Sequence, residues 1–271
     1  MKIISALISL PVSVILIVWL IRCKKNTPFT AGNVVRLIIA GMVSALVGST
    51  VTILLSAAKA IKVIGLDTLK SWFANPDPEA IQAYIDANQS TADFSYGKLF
   101  LSILITVGLA EELSRYLFLR LSTRRKDFAK TSLDFAICGG IVGTGFTIVE
   151  DLLYSSGGAG IAIFRSLMPF HFTFGAIMGY FIGKAYVTGR KGCLFIGILI
   201  PVLLHTLFDS SIFALTKDDS YLFLFIAAFI LLIAVTIVMI VKIHRWKKEA
   251  EKEESETESE SEFAETIPSE N

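Results

Sequence analysis

Seven long apolar stretches dominate the chain and restrict it to one class of fold. They cover about residues 3–21, 37–55, 99–121, 133–153, 161–183, 194–215 and 222–241. A helix needs about 20 apolar residues to cross the roughly 30 Å hydrocarbon layer of a bilayer. Because 54% of the residues are hydrophobic and only 18% are charged, little is left for a soluble domain. The sequence therefore predicts an all-α, multi-pass bundle of about seven transmembrane helices in the cell membrane.

Basic residues between the stretches predict how the bundle is oriented. They collect at about 22–36, 115–130, 184–191 and 242–248, whereas the other connections are acidic, neutral or mixed. By the positive-inside rule the basic connections face the cytoplasm. The N-terminus is therefore predicted outside and the C-terminus in the cytoplasm. The first stretch lacks a small-x-small cleavage site before the basic cluster that follows it, so we expect a retained anchor rather than a signal peptide.

The composition between the spans divides the chain into five segments. They are two N-terminal transmembrane helices (1–58), an extracytoplasmic loop (59–98), a four-helix membrane core (99–215), a seventh helix with a basic flank (216–248) and an acidic tail (249–271). The tail is rich in Glu and Ser and too polar to bury a core, so we expect it to be disordered in the cytoplasm.

Two glycine series predict close helix packing. The series are Gly139 with Gly143, and Gly175 with Gly179 and Gly183, each repeating every four residues along one helix face. Small residues let helix backbones approach each other within lipid.

The third apolar stretch carries ionisable residues at membrane depth. Each of Glu111, Glu112 and Arg115 costs roughly 2.5–3.5 kcal/mol on insertion scales, so each needs a partner or a purpose. Arg115 lies four residues after Glu111 and three after Glu112, so it can pair with either carboxylate. Such a cluster suits a general base, although an ion pair that only orients helices has the same pattern.

Three further spans add polar groups at a similar depth. Glu150 follows Phe146 by four residues, His171 follows Arg165, and Asp209 follows His205 by four residues. From the helical rise, Glu111, His171 and His205 lie about 18, 15 and 14 Å below the outer surface. Glu150, next to Asp151, can also be read as a helix end at the headgroups. Four helices are thus predicted to direct polar groups into one layer that opens outward.

Together these motifs resemble the PrsW family of intramembrane glutamic endopeptidases, which is related to the CAAX prenyl protease and bacteriocin-processing superfamily. The resemblance covers about residues 98–211. It rests on the matches of four motifs: Glu111, Glu112 and Arg115; Phe146 and Glu150; Arg165 with His171; His205 with Asp209. Arg115 stands where many members carry Lys, and Asp151 stands where Asn commonly follows the second-motif Glu.

The resemblance implies a role for each of these residues. Glu111 or Glu112 would activate water, and His205 would stabilise the carbonyl oxygen as charge develops. Asp209 would orient His205, while Glu150 and His171 would complete the site, with Arg115, Phe146 and Arg165 in support. The implied substrates are single-span membrane proteins such as anti-sigma factors, with the first cleavage on the extracytoplasmic side.

Several alternatives stay open at this level. No cofactor is expected because the sequence has no HExxH helix, but Glu and neutral His are zinc ligands, which leaves a divalent metal open. A proton-coupled transporter, a non-enzymatic scaffold and a CAAX-type or bacteriocin-processing peptidase would use similar residues. Beyond the substrate and the lipid bilayer, no nucleic-acid partner is expected. The sequence does not indicate the oligomeric state.

Overall fold

The computed structural model describes residues 2–24, 29–74, 95–124, 128–154 and 168–266, and every regular element in these ranges is helical. The predicted all-α class is therefore confirmed. The helices are α1 (Lys2–Cys23), α2 (Ala31–Ile64), α3 (Leu66–Ala74), α4 (Tyr96–Ile103), α5 (Leu109–Thr123), α6 (Ser132–Tyr154), α7 (Phe170–Thr188), α8 (Gly192–Leu215) and α9 (Leu222–Thr266). A π-helical turn at Leu104–Gly108 joins α4 to α5, and a 3-10 turn at Asp219–Tyr221 precedes α9.

Within the described residues, four helices are long and apolar enough to cross a membrane. These are Ala31–Lys59, Ser132–Leu153, Gly192–Leu215 and Asp219–Glu249, and they match the second, fourth, sixth and seventh predicted spans. Helices also occupy the other three predicted positions. However, α1 offers only a shorter apolar run, and α5 and α7 carry the charged and polar residues of the site. The chain is a multi-pass membrane protein, and the count of seven spans stays a prediction.

Two helices extend beyond their expected ends. Helix α2 continues to Ile64, so the first residues of the predicted outer loop are helical, while residues 75–94 of that loop lie outside the described residues. Helix α9 continues to Thr266, where a disordered tail was expected. Glu, Lys and Ala are strong helix formers, and the apolar part of α9 supplies the helix nucleus that an isolated acidic segment would lack.

Helix α6 lies at the centre of the bundle, and 83% of its most apolar 18-residue segment is buried. Its main partner is α7, and the two backbones touch along the predicted glycine faces. A Cβ atom at Gly139 would collide with the backbone of Gly175, and one at Gly179 would collide with that of Phe135. The expectation of close packing is confirmed at these residues.

Helix α2 supports the other side of α6. A Cβ atom at Gly41 would meet the backbone of Val142, and one at Gly48 would lie 3.0 Å from Cα of Glu111. Because α2 contacts both α6 and α5, it sets the distance between the helices that carry Glu111 and Glu150.

A buried ion pair fixes the end of α1 to the start of α6. Lys24 Nζ donates to Asp134 Oδ1 at 2.8 Å, and the two side chains are 1% and 11% exposed. Asp134 also accepts hydrogen bonds from the backbone N–H groups of Lys130 and Thr131, at 2.9 and 3.0 Å. Because the N–H of Asp134 in turn donates to Oγ1 of Thr131 at 3.1 Å, the two residues form a capping box at the start of α6, and the same carboxylate neutralises Lys24.

Candidate active site

Glu112 lies at the centre of the predicted polar cluster. Its side chain is fully buried, and its two carboxylate oxygens have different partners. Oε2 forms an ion pair with Nη1 of Arg115, and Oε1 lies 2.8 Å from Nδ1 of His205. Glu112 thus connects α5 to α8 and holds the Nδ1 edge of the His205 ring.

Arg115, one turn further along α5, is also fully buried. Its guanidinium lies 4.0 Å from the centroid of the Phe146 ring, and Nη2 lies 2.9 Å from Nδ1 of His171. Because an arginine nitrogen can only donate, Nδ1 of His171 accepts this hydrogen bond. The proton of neutral His171 is therefore on Nε2, which faces the carboxylate of Glu150.

His205 has the opposite arrangement. Nδ1 faces an oxygen of Glu112, which accepts, so this nitrogen carries a proton. Nε2 lies 3.3 Å from Oδ2 of Asp209 and 3.8 Å from Oε2 of Glu111. This second nitrogen therefore lies within hydrogen-bond distance of Asp209, with Glu111 just beyond it.

Aromatic contacts fix the two imidazole rings. The ring centroids of His171 and His205 are 5.3 Å apart, and the rings are nearly perpendicular at 76°. Phe174 stacks on His205 at 5.5 Å, and Phe146 contacts His171 at 4.8 Å. The orientation of both rings is set before any substrate binds.

A cavity of about 320 Å³ opens against these groups. Its polar wall consists of Thr147, Glu150, Asp151, His171, His205 and Asp209. Its apolar wall consists of Met168, Phe170, Phe174, Phe208 and Ile212. It lies where α6 ends and α7 begins, and Glu111 and Glu112 lie behind His205 rather than on its wall.

Glu111 differs from its neighbour in its bonding. Its side chain is only 8% exposed, and Oε2 has no hydrogen-bond partner among the residues that the structure describes. Nε2 of His205 lies 3.8 Å from this oxygen. Glu111 is thus a buried carboxylate with a free acceptor position beside an imidazole.

The structure brings together eight of the nine residues that the sequence singled out. They are Glu111, Glu112, Arg115, Phe146, Glu150, His171, His205 and Asp209. Arg165 lies outside the described residues. Sequence reasoning missed Phe174, whose place among many aromatic residues gave no signal beyond its position three residues after His171.

Three of these residues are also candidate metal ligands. Glu112, His171 and His205 each offer one ligand atom, and these atoms all lie within 4.8 Å of one another. One carboxylate and two imidazoles form a donor set that catalytic zinc uses, and Glu150, Asp151 and Asp209 add negative charge nearby. The donor types fit a divalent ion, which would compete with Arg115 for Glu112 and His171. Since the ligands lie on three helices, no linear motif could reveal them.

Comparison with known proteins agrees with this geometry. A family model described as "PrsW family intramembrane metalloprotease" matches residues 29–240. The Protease PrsW of Bacillus subtilis is 31% identical over 136 residues, which cover 48% of this chain and 62% of that protein. The Protease PrsW of Oceanobacillus iheyensis is 28% identical over 125 residues, which cover 44% of this chain and 58% of that protein.

A further relative is the Protease PrsW of Clostridioides difficile, 30% identical over 125 residues, or 42% of this chain and 52% of that protein. The matches thus span about half to three fifths of the length of these relatives. No solved structure matches the chain.

The family match includes every described helix that contributes to the polar cluster, from α5 to α8. The chain therefore belongs to the PrsW family of intramembrane metalloproteases.

Proposed function

We propose that this protein is an intramembrane endopeptidase that hydrolyses peptide bonds of single-span membrane proteins with glutamate-activated water. The observation that carries the proposal is the position of His205. It lies on the cavity wall, with Glu112 at one ring nitrogen and Glu111 and Asp209 at the other. Three acids around one imidazole provide both a proton acceptor and a proton donor for amide hydrolysis.

We assign the role of general base to Glu111. Glu112 is held by both Arg115 and His205, so its oxygens are already committed to orienting other groups. Glu111 has a buried oxygen with no hydrogen-bond partner in the described part of the chain. A water beside Nε2 of His205 would be within reach of that oxygen, which can take its proton as the water attacks.

The protonated His205 then acts as a hydrogen-bond donor. As the carbonyl carbon becomes tetrahedral, negative charge develops on its oxygen, and an N–H group in a dry site stabilises that charge strongly. Asp209, at 3.3 Å from Nε2, holds the ring in position. As the C–N bond breaks, Glu111 passes the proton that it took from water to the leaving amine, which returns Glu111 to a carboxylate. Glu150 holds His171 beside His205 on the same polar wall.

The same site also suits a mechanism that uses a divalent ion. Glu112, His171 and His205 would hold it, and when bound it would polarise the scissile carbonyl and acidify the attacking water. Glu111 would remain the proton acceptor, because it is not among the candidate ligands.

We further propose seven membrane crossings with the N-terminus outside. In that topology the ends of α6 and α7 that surround the cavity face outward, because the basic residues near the start of α6 and the end of α7 lie in the cytoplasm. A site on that side fits substrates such as anti-sigma factors whose first cleavage is extracytoplasmic.

The test compares membrane-protein N-termini in cells that make the native protein and Glu111→Gln at matched abundance. We expect new fragments of single-span proteins with the native form, and their loss with Glu111→Gln. Asp67→Asn, which changes an exposed carboxylate on α3, is the matched control and should give the native fragments. Identical fragments from the native protein and Glu111→Gln would contradict the assignment.

A proton-coupled transporter is favoured by one observation, namely that each buried histidine contacts more than one ionisable group. Series of ionisable side chains in contact with one another also conduct protons in transporters. Proton uptake into proteoliposomes without any proteolysis would select that function. Cleavage restricted to the cytoplasmic side would instead select a CAAX-type peptidase.

A further inference from the structure

A second cavity lies between α7, α8 and α9, away from the candidate active site. Its volume is about 230 Å³, and it shares no lining residue with the first cavity. Its wall is largely aliphatic and aromatic, with Ile177 and Phe181 from α7, Ile200 from α8, and Met239 from α9. In a membrane-spanning bundle, a groove of this kind faces the hydrocarbon of the bilayer.

One end of this groove is polar. There Trp246 stacks on Tyr180 with ring centroids 4.7 Å apart and an angle of 8°, and Lys242 completes the wall. Trp and Tyr are enriched at the boundary between hydrocarbon and headgroups. The groove therefore begins at headgroup depth and continues toward the membrane interior.

The charge at this end is strongly positive. Lys242 is exposed, and in the described part of the chain no carboxylate pairs with it. Lys184 lies with its Nζ 5.9 Å from the Tyr180 centroid, and Arg245 is exposed beside Trp246. The nearest acidic residue along α9 is Glu249, two turns beyond Lys242 and further from the hydrocarbon.

We propose that this groove binds an anionic phospholipid. One acyl chain lies along the aliphatic wall, and the phosphate contacts Lys242 at the aromatic rim. Clusters of Lys and Arg next to a membrane helix attract anionic headgroups, whereas the cation of a zwitterionic headgroup offsets the attraction of its phosphate to Lys242. The inference does not depend on the proposed protease activity.

A bound lipid would also affect the first cavity through shared helices. The same α7 and α8 carry His171 and His205, and a hydrogen bond of 2.8 Å between Thr173 and Thr236 joins α7 to α9 between the two cavities. A lipid that fills the groove would therefore stabilise the packing of these three helices on the side away from the first cavity.

The experiment uses the full chain purified in mild detergent and mixed with phosphatidylglycerol or phosphatidylcholine of the same acyl chains. Native mass spectrometry measures the lipid retained. We expect preferential retention of phosphatidylglycerol by the native protein and a loss of about fivefold in Lys242→Gln, from one cation–headgroup contact. Lys191→Gln, an exposed lysine that does not line the groove, is the matched control and should behave as native.

A second variant tests the groove itself. Val238→Trp places a bulky ring in the opening of the groove and should reduce retention of phosphatidylglycerol. Because Val238 is 54% exposed, the substitution should leave the buried packing of the bundle unchanged. Equal retention of both lipids, or an unchanged preference in Lys242→Gln, would overturn the proposal. A protein dimer in lipid-free detergent that Val238→Trp abolishes would also overturn it, because the groove would then hold a second copy of the chain.

Discussion

Arg115 contacts a carboxylate, an imidazole and an aromatic ring, all inside the bundle. A buried charge is costly unless it is paired, so the carboxylate of Glu112 needs the guanidinium of Arg115 as its counter-ion. His171 and Phe146 contact the same guanidinium. The same dependence runs the other way, because Arg115 without Glu112 would be an uncompensated cation.

Removing this cation should destabilise the protein strongly. We expect Arg115→Met to lower the free energy of unfolding by about 3–5 kcal/mol, since Glu112 is left as an unpaired buried charge. Arg115→Lys keeps the charge but loses the two-pronged contact, so its loss should be smaller. Thermal unfolding in mild detergent measures both, with Arg120→Met, an exposed arginine of the same helix, as the control. Equal midpoints for Arg115→Met and Arg120→Met would refute this prediction.

The two adjacent glutamates should respond differently to the same substitution. Glu111→Gln is expected to abolish cleavage with little change in thermal stability, because Oε2 loses no hydrogen bond. Glu112→Gln should reduce both, because it removes the negative charge that balances Arg115. Cleavage rate and unfolding temperature are measured on the same preparations. Equal stability of the two variants would contradict the division of roles.

The site was largely predictable at this scale, but the division of roles was not. Charged residues in apolar helices stand out because they are costly there, which is how Glu111, His171 and His205 were found. The spacing of Arg115 allows pairing with either glutamate. The two glutamates are distinguished by the position of α8, which brings His205 within hydrogen-bond distance of Glu112. Phe174 was missed because nothing in a run of aromatic residues marks the ring that stacks on a histidine.

Helices α6 and α7 form a tightly packed pair because glycines remove the side chains between them. This packing brings the end of α6, with Glu150, to the start of α7, with His171. The repeat of four residues predicted the contact, since it places the glycines on one face of each helix.

A single methyl group should disturb this contact. Gly139→Ala places a Cβ atom against the backbone of Gly175, which cannot rotate away, so we expect a loss of about 1–3 kcal/mol in stability and slower cleavage. Gly192→Ala is the control, because no atom lies within 4 Å of the added carbon. Thermal unfolding and cleavage assays on both variants check this. A Gly139→Ala protein as stable and active as Gly192→Ala would show that the helices can separate without cost.

The π-helical turn before α5 could not be predicted from the sequence. One extra residue in a turn leaves the apolar composition unchanged, so a single continuous helix was expected across Leu104–Gly108. The turn lies where Gly108 packs against Thr206 on α8, and π-helical turns often occur at functional sites.

Across the whole molecule, the Lys24–Asp134 ion pair is a buried polar link between the N-terminal helix and the core, beside the apolar contacts of Leu20 and Cys23. Lys24→Met should lower stability by about 3–5 kcal/mol, because Asp134 is left charged and largely buried. The double variant with Asp134→Asn should cost less than the sum of the two single changes. A double-mutant cycle by thermal unfolding measures the difference. Strictly additive losses would mean that the two groups do not stabilise each other.

The apolar stretches located every helix that carries the site, and four of the seven coincide with described helices that are long and apolar enough to cross a membrane. The helix that holds Glu111 is only 15 residues long because the π-helical turn separates it from α4, and the helix that holds His171 carries polar residues of the site. The length of α9 exceeded the expectation, since helix formation continued from the apolar part into an acidic segment. That miss comes from treating the acidic segment alone rather than as the continuation of a helix.

The polar cluster draws its members from four helices in chain order: α5, α6, α7 and α8. During synthesis these helices emerge one after another, so a ribosome-bound chain contains Glu111, Glu150 and His171 before it contains His205. Until α8 has entered the bilayer, the cluster lacks His205, whose Nε2 lies 3.8 Å from Glu111. Under the proposed mechanism a nascent chain therefore cannot cleave neighbouring proteins, and the order of the helices acts as a safeguard during synthesis.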